Sequence, residues 1–185
     1  MSGLTAWQAL FLHAGLSAKQ VVLIHGASGG VGTYAVQLAH WRGAHVVGMA
    51  RMANANFVKE LGADEVIDHT AVRFEDKVRN VDVVLDTVGG DTLERSWRVL
   101  RPGGVLVTIV SGASPEKAAQ YGVRGVFFIV KPNRDQLIEI GRLIDAGVVR
   151  PIVEATFPLE KAREAFERGV RGHNRGKLVL AIDGH

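Results

Sequence analysis

A doubly wound α/β fold with a six-stranded parallel sheet and a C-terminal helix–strand appendage is predicted by three observations. Short apolar runs rich in valine and isoleucine alternate with stretches of helical periodicity. The links between them are short and carry glycine. One junction, Val21-Val-Leu-Ile-His-Gly-Ala-Ser-Gly-Gly-Val-Gly32, passes from a strand through a glycine-rich turn straight into a helix.

The elements follow in chain order. Leu4, Trp7, Gln8, Leu10, Phe11 and Leu12 precede Gly15, so residues 4 to 14 read as a short amphipathic helix. Val21 to Ile24 is a continuous apolar run suited to a strand buried on both faces. From Val31 the apolar positions Val31, Tyr34, Ala35, Leu38 and Ala39 give a helix with one buried face. Ala44 to Met49 is a second strand, Ala53 to Leu61 a helix closed by Gly62, and Glu65 to Ile67 a third strand. Phe74 to Val78 reads as a helical turn and Val81 to Asp86 as the fourth strand. Asp91 caps a helix to about Leu100, and Pro102-Gly-Gly104 turns into a strand from Val105 to Val110. Val126-Phe-Phe-Ile-Val130 is the sixth strand, and Arg134 to Ala146 an amphipathic helix stopped by Gly147. Beyond Pro151 a helix begins at Phe157 and runs to about Gly169, a basic loop follows, and Leu178 to Ile182 is a last strand. Strand–helix alternation with right-handed crossovers gives two βαβαβ halves, the Rossmann arrangement. The division expected is a dinucleotide domain over residues 1–150 and a C-terminal segment over 151–185.

A helix that starts directly after such a turn aims unpaired N–H groups and its dipole's positive end above the strand, where a phosphate fits. Gly26, Gly29, Gly30 and Gly32 supply the sharp turn and a close approach for a pyrophosphate, with Ala27 standing where G-x-G-x-x-G has a glycine. Ser28, Gly29, Gly30, Val31 and Gly32 are therefore candidate cofactor ligands.

Composition narrows the function classes. The chain has 185 residues, 47% of them apolar and 22% charged, enough for one good core. No apolar run approaches the roughly 20 residues of a membrane span, so no membrane partner is expected. The start shows no secretion signal. Cysteine is absent, which excludes thiolate nucleophiles and cysteine-ligated zinc and fits a reducing cytoplasm, the expected location. All 19 acidic residues lie at or beyond Glu60, while Lys19, Arg42, Arg51 and Lys59 precede it. These scattered cations form no nucleic-acid stripe; an anionic small molecule at the turn accounts for them better. The seven histidines are dispersed, with no metal-ligand spacing, and no metal is expected. His25 is expected to hydrogen-bond locally and His173 to be solvated.

An acid about 20 positions past the turn receives the ribose hydroxyls in NAD-binding units. Here the second strand ends Gly48-Met-Ala-Arg51, without an acid. A carboxylate there would repel a 2′-phosphate, whereas a guanidinium binds it with paired hydrogen bonds. The expected cofactor is NADP(H), with Arg51 on the phosphate; a plain solvated surface residue is the alternative. Neither Tyr34 nor Tyr121 has lysine four residues on, and no triphosphate-binding Gly-x-x-x-x-Gly-Lys occurs.

Six blocks in order carry a resemblance: Gly3-Leu-Thr-Ala-Trp-Gln-Ala9, His25 to Gly32, Leu61-Gly-Ala-Asp-Glu-Val-Ile-Asp68, Asp82-Val-Val-Leu-Asp-Thr-Val-Gly-Gly90, Arg101-Pro-Gly-Gly104 and Gly176-Lys-Leu-Val-Leu180. Over nearly its whole length the chain resembles the medium-chain dehydrogenase/reductase superfamily, in its zinc-independent quinone oxidoreductase-like branch. The resemblance implies that Thr5 stands near the nicotinamide. It also implies that Asp86, Thr87, Val88, Gly89, Ser111, Phe128, Ile129 and Val130 border the nicotinamide half, although Thr87 and Ser111 could instead cap helices. Relatives carry a lysine near the 2′-phosphate where this chain has Ala53 and Asn54, so Asn54 joins Arg51 as a candidate there.

Relatives also carry an N-terminal catalytic domain that supplies most of the substrate pocket and receives the C-terminal segment, so the last strand is expected to dock on its own domain or pair with another chain. In the family the sixth strand, here Val126 to Val130, often joins its counterpart across a two-fold, so the resemblance implies a homodimer. The function implied is NADPH-dependent hydride transfer to a quinone or activated alkene, with no proton donor named within this chain. The alternatives are a dinucleotide-binding module without turnover, regulatory or assembling, and an enoyl reductase part of a larger synthase.

Overall fold

The computed structural model describes residues 1–172 and 174–182; the expectation for His173 lies outside the described residues. Strands β1 (Val21–Ile24), β2 (His45–Ala50), β3 (Glu65–Asp68), β4 (Val81–Asp86), β5 (Leu100–Thr108) and β6 (Arg124–Phe127) form one parallel sheet in the order β3-β2-β1-β4-β5-β6. The order reverses between β1 and β4, which opens a crevice at their carboxyl ends.

Alternation across the sheet explains the unbroken apolar runs. Val22 and Ile24 of β1 enter one core with Leu10, Leu38 and Val46, while Leu23 between them enters the other with Phe74, Trp97 and Leu106. Both faces are packed by apolar side chains, which an unbroken apolar strand suits. Helices α1 (Ser2–Trp7), α2 (Gly32–Trp41) and α6 (Arg134–Asp145) cover the first face. The second face carries α4 (Gly90–Ser96) and α5 (Pro115–Tyr121), and α3 (Ala55–Glu60) flanks β2 and β3.

Several boundaries differ from expectation. The first helix runs as α1 and then changes to a π-helix over Gln8–His13. Helix α4 has Gly89, at φ 78°, as its N-cap, and Asp91 sits in the first turn, paired at 2.8 Å with Arg95. The backbone of Gly89 makes the bend, and α4 starts without a side-chain cap bond. Helix α5 was missed, although Ser114 accepts a hydrogen bond from Lys117 N, Pro115 opens the helix and Gly122 closes it.

Strand β6 lies earlier than the expected 126–130. Its ladder with β5 pairs Val105 with Arg124 and Thr108 with Phe127, and β5 ends there. Phe128, Ile129 and Val130 therefore leave the sheet as a loop at its carboxyl end.

Beyond α6, the stretch expected to start a helix at Phe157 is strand β7 (Val153–Pro158), followed by α7 (Ala162–Arg171) and β8 (Lys177–Ala181). The last strand pairs in parallel with β7 of its own chain. Gln37 of α2 fixes the exit toward β7: its amide donates to Arg150 O (3.1 Å) and accepts from Arg150 N (2.8 Å).

Candidate functional site

The glycine turn stands at the β1–β4 crevice. Gly26 takes φ +67°, and a Cβ there would lie 2.5 Å from Thr87 Oγ1. At Gly32 a Cβ would lie 2.7 Å from Ala27 Cα, so only glycine lets α2 start this close to the turn. The N-cap of α2, Val31, makes no side-chain capping bond. Thr33 N of the first turn donates to Gly29 O at 2.9 Å, and no side chain closes the rest of the helix start, which leaves it open to an outside acceptor.

Above the turn opens a recess of about 580 Å³. The structure gathers Ser28, Gly29, Gly30, Val31, Gly32, Arg51, Asn54, Thr87 and Val88 around it. Thr87 is no helix cap: its hydroxyl donates to His25 O at 2.8 Å and ties the ends of β1 and β4 together. Arg51 is exposed at the end of β2. Asn54 is buried, donates to Ser28 Oγ (3.4 Å) and accepts from Arg175 Nε (2.8 Å), so its carboxamide already serves the protein.

Other expected residues lie outside the recess. Asp86 is wholly buried, and its carboxylate accepts from Gly89 N (2.9 Å), Val88 N (3.1 Å) and Thr108 Oγ1 (2.8 Å). It shapes the loop of Thr87, Val88 and Gly89 and offers no edge to a ligand. Thr5 is buried in α1, with its hydroxyl donated to Met1 O at 3.1 Å. Ser111 is exposed beyond β5. Phe128 packs its ring 4.3 Å from that of His13, and with Ile129 it lines a separate hollow of about 520 Å³. Val130 packs against the first core.

Sequence reasoning missed what the C-terminal segment brings. Gly176 N donates to Ser28 O at 2.9 Å, and Gly176 forms an isolated bridge with Gly29. The next residue, Lys177, runs across the turn: a Cβ on Gly30 would sit 2.5 Å from its Nζ. Lys177 and Asn174 both line the recess. The quoted Gly176-Lys177 block was the signal, but nothing local tells that β8 begins over a turn nearly 150 positions earlier.

Two further groups enter through the sheet. Asp68 lies opposite Ala50 in the β2–β3 ladder and accepts from Met52 N at 3.2 Å. Hydrogen bonds from the Thr70 side chain and backbone hold its carboxyl below the usual range. An acid therefore stands near Arg51, out of reach of counting from the turn. His25 is buried and its Nε2 lies 2.8 Å from Ser96 Oγ, 71 residues away, rather than on a local partner. Ser96 gives its own proton to Thr92 O (2.7 Å), so Nε2 carries the hydrogen and donates. Burial pushes the imidazole down to about 4, against the opposing pull of Asp86.

Comparison with known proteins places these features. The zinc-binding dehydrogenase family profile matches residues 61–180. The chain is 35% identical over 209 residues to the NAD(P)H oxidoreductase RTN4IP1, mitochondrial, of Danio rerio, covering 96% of this chain and 54% of that protein. It is 38% identical over 193 residues to the spectinabilin polyketide synthase system protein NorB of Streptomyces orinoci, covering 97% of this chain and 9% of that protein. The structure of the quinone oxidoreductase from Coxiella burnetii superposes with a TM-score of 0.93 at 35% identity, covering 98% of this chain and 58% of that one. The chain thus spans about half the length of the Danio rerio relative. That relative's mitochondrial name overturns the cytoplasmic expectation; a chain without cysteine is compatible with any redox compartment.

The family's description implies zinc. The sequence has no cysteine, and among the described residues no three His, Asp or Glu side chains converge as metal ligands. The residues present do not fit a zinc ion.

Proposed function

The chain belongs to the zinc-binding dehydrogenase family as an NAD(P)-binding domain, and from that premise we propose that it holds NADP(H) for zinc-independent hydride transfer to a quinone or an activated alkene. The observation that carries the reading is the uncapped start of α2 over a glycine turn, roofed by the Lys177 side chain. Helix N–H groups and an ammonium on opposite sides suit a pyrophosphate. Arg51, at the rim, takes the 2′-phosphate. Asp86 holds Val88 and Gly89 against the cofactor's path without touching it.

The bound nicotinamide supplies the hydride; this chain's residues bind and orient it. The loop of Phe128, Ile129 and Val130 borders the nicotinamide half, and Thr5 and Ser111 stand nearby. Residues 1–150 form the cofactor domain in this reading, and 151–185 lend it Lys177 while presenting an exposed apolar face, with Phe166 73% and Val170 70% accessible, to the rest of a longer enzyme. The similarity to NorB favours one second reading, an enoyl reductase segment of a synthase.

The test is oxidation of NADPH, followed at its nicotinamide absorbance, by this chain and by a longer form that includes the remaining half of the relatives' length. Consumption on adding a simple quinone supports the first reading, and consumption only with an enoyl thioester supports the second. NADPH bound without oxidation by either form would leave a binding module and reject hydride transfer.

A further inference from the structure

We propose that Gln8 is a positioning residue for the nicotinamide end of the cofactor, an inference that rests on the NADP(H) reading above. Gln8 is 3% exposed and opens the π-helical turn. Its Nε2 donates to Lys131 O (2.8 Å) and to Gln136 Oε1 (2.8 Å), and its Oε1 accepts from Lys131 N (3.1 Å). These three bonds fix the amide's orientation, since a flipped amide would face N–H with NH2 and two oxygens with an oxygen. Both main-chain groups of Lys131, 123 positions away, are thereby satisfied by a single side chain.

The consequence falls on the loop after β6. Phe128 anchors one end in the core against His13. Asn133 caps α6 by accepting from Gln136 N at 3.0 Å, and Gln136 in turn accepts from Gln8. Between these anchors lie Ile129, 76% exposed, and Val130. Gln8 closes the far end of this span, so it sets where the loop's backbone stands relative to a nicotinamide. The π-turn serves the same end, because one extra residue per turn changes which side chain faces inward, and such turns cluster at functional sites. Ala14 N bonding to Ala9 O at 2.9 Å marks that wider turn.

The adenosine half lies across the crevice on Arg51 and the glycine turn, which Gln8 does not touch. Calorimetric titration of the wild-type chain and Gln8→Met with NADPH and with 2′,5′-ADP, which lacks the nicotinamide half, separates the two ends. The expected result is an about tenfold loss of NADPH affinity, with 2′,5′-ADP changed by less than about twofold. A parallel loss of both, or no change in either, overturns the proposal. Wild-type chain that binds neither ligand overturns the cofactor reading itself. If Gln8→Met does not fold, amide hydrogen exchange of the wild type decides. NADPH, but not 2′,5′-ADP, should slow exchange at Lys131, and equal slowing by both contradicts the role.

Discussion

His25 shows how much one side chain's surroundings can decide. The sequence places it after a buried strand, and burial could be read there; its partner could not, because Ser96 reaches it only once α4 has folded over β4. The ring is neutral in the folded chain, held near 4, and returns to its ordinary value of 6.5 on unfolding. The unfolded chain then binds a proton that the folded chain refuses as pH falls through this interval. Stability is therefore unaffected by this group above about pH 6.5 and declines toward pH 4, by up to about 3 kcal/mol. Urea unfolding of His25→Asn across that range should show a flatter dependence than wild type. Identical slopes would place the titration elsewhere. Asp86 gives the converse lesson: its motif was legible in the sequence, but its hydrogen-bond partners were not. Its carboxylate accepts from Val88 N and Gly89 N of the loop and from Thr108 Oγ1 at the end of β5.

Among the elements, strands were legible where both faces are buried, since an unbroken run such as Val21–Ile24 admits one interpretation. The sixth strand was misplaced because Val126-Phe-Phe-Ile-Val130 is apolar throughout, while pairing stops where β5 stops. Strand β7 was misread for a related reason: Phe157 starts the apolar pattern of α7 but itself pairs with Leu180 in the β7–β8 ladder, which ends one residue later. Ladder ends depend on the neighbouring strand, which a local pattern does not contain. The free edge of β6 carries Phe127, 43% exposed. Such an edge invites a second strand, and we propose that a second copy of the chain supplies it across a two-fold axis. Sedimentation should show a dimer that Phe127→Asp converts to monomer. A wild-type monomer at micromolar concentration would contradict this pairing.

At the scale of the molecule, the recess proposed for the cofactor draws on both sheets. The turn of 28–32 could be found from its glycines alone, yet the Lys177 side chain above it arrives from β8, and Asp68 arrives beside Arg51 through the β2–β3 ladder. These are properties of the closed fold. They also bear on the proposed cofactor, because Asp68 pairs with the strand end that Arg51 follows, where the proposal puts the adenosine. Asp68 is engaged by Thr70 and Met52, whereas Arg51 stands exposed at the rim, which favours a 2′-phosphate over a bare ribose. The most direct test is calorimetric titration of NADPH and NADH into the chain and into Arg51→Ala. The account predicts tighter binding of NADPH by wild type and a loss of about tenfold or more for NADPH alone in the variant, as expected for one charge-assisted pair. Equal affinities for the two cofactors, unchanged in Arg51→Ala, would contradict it.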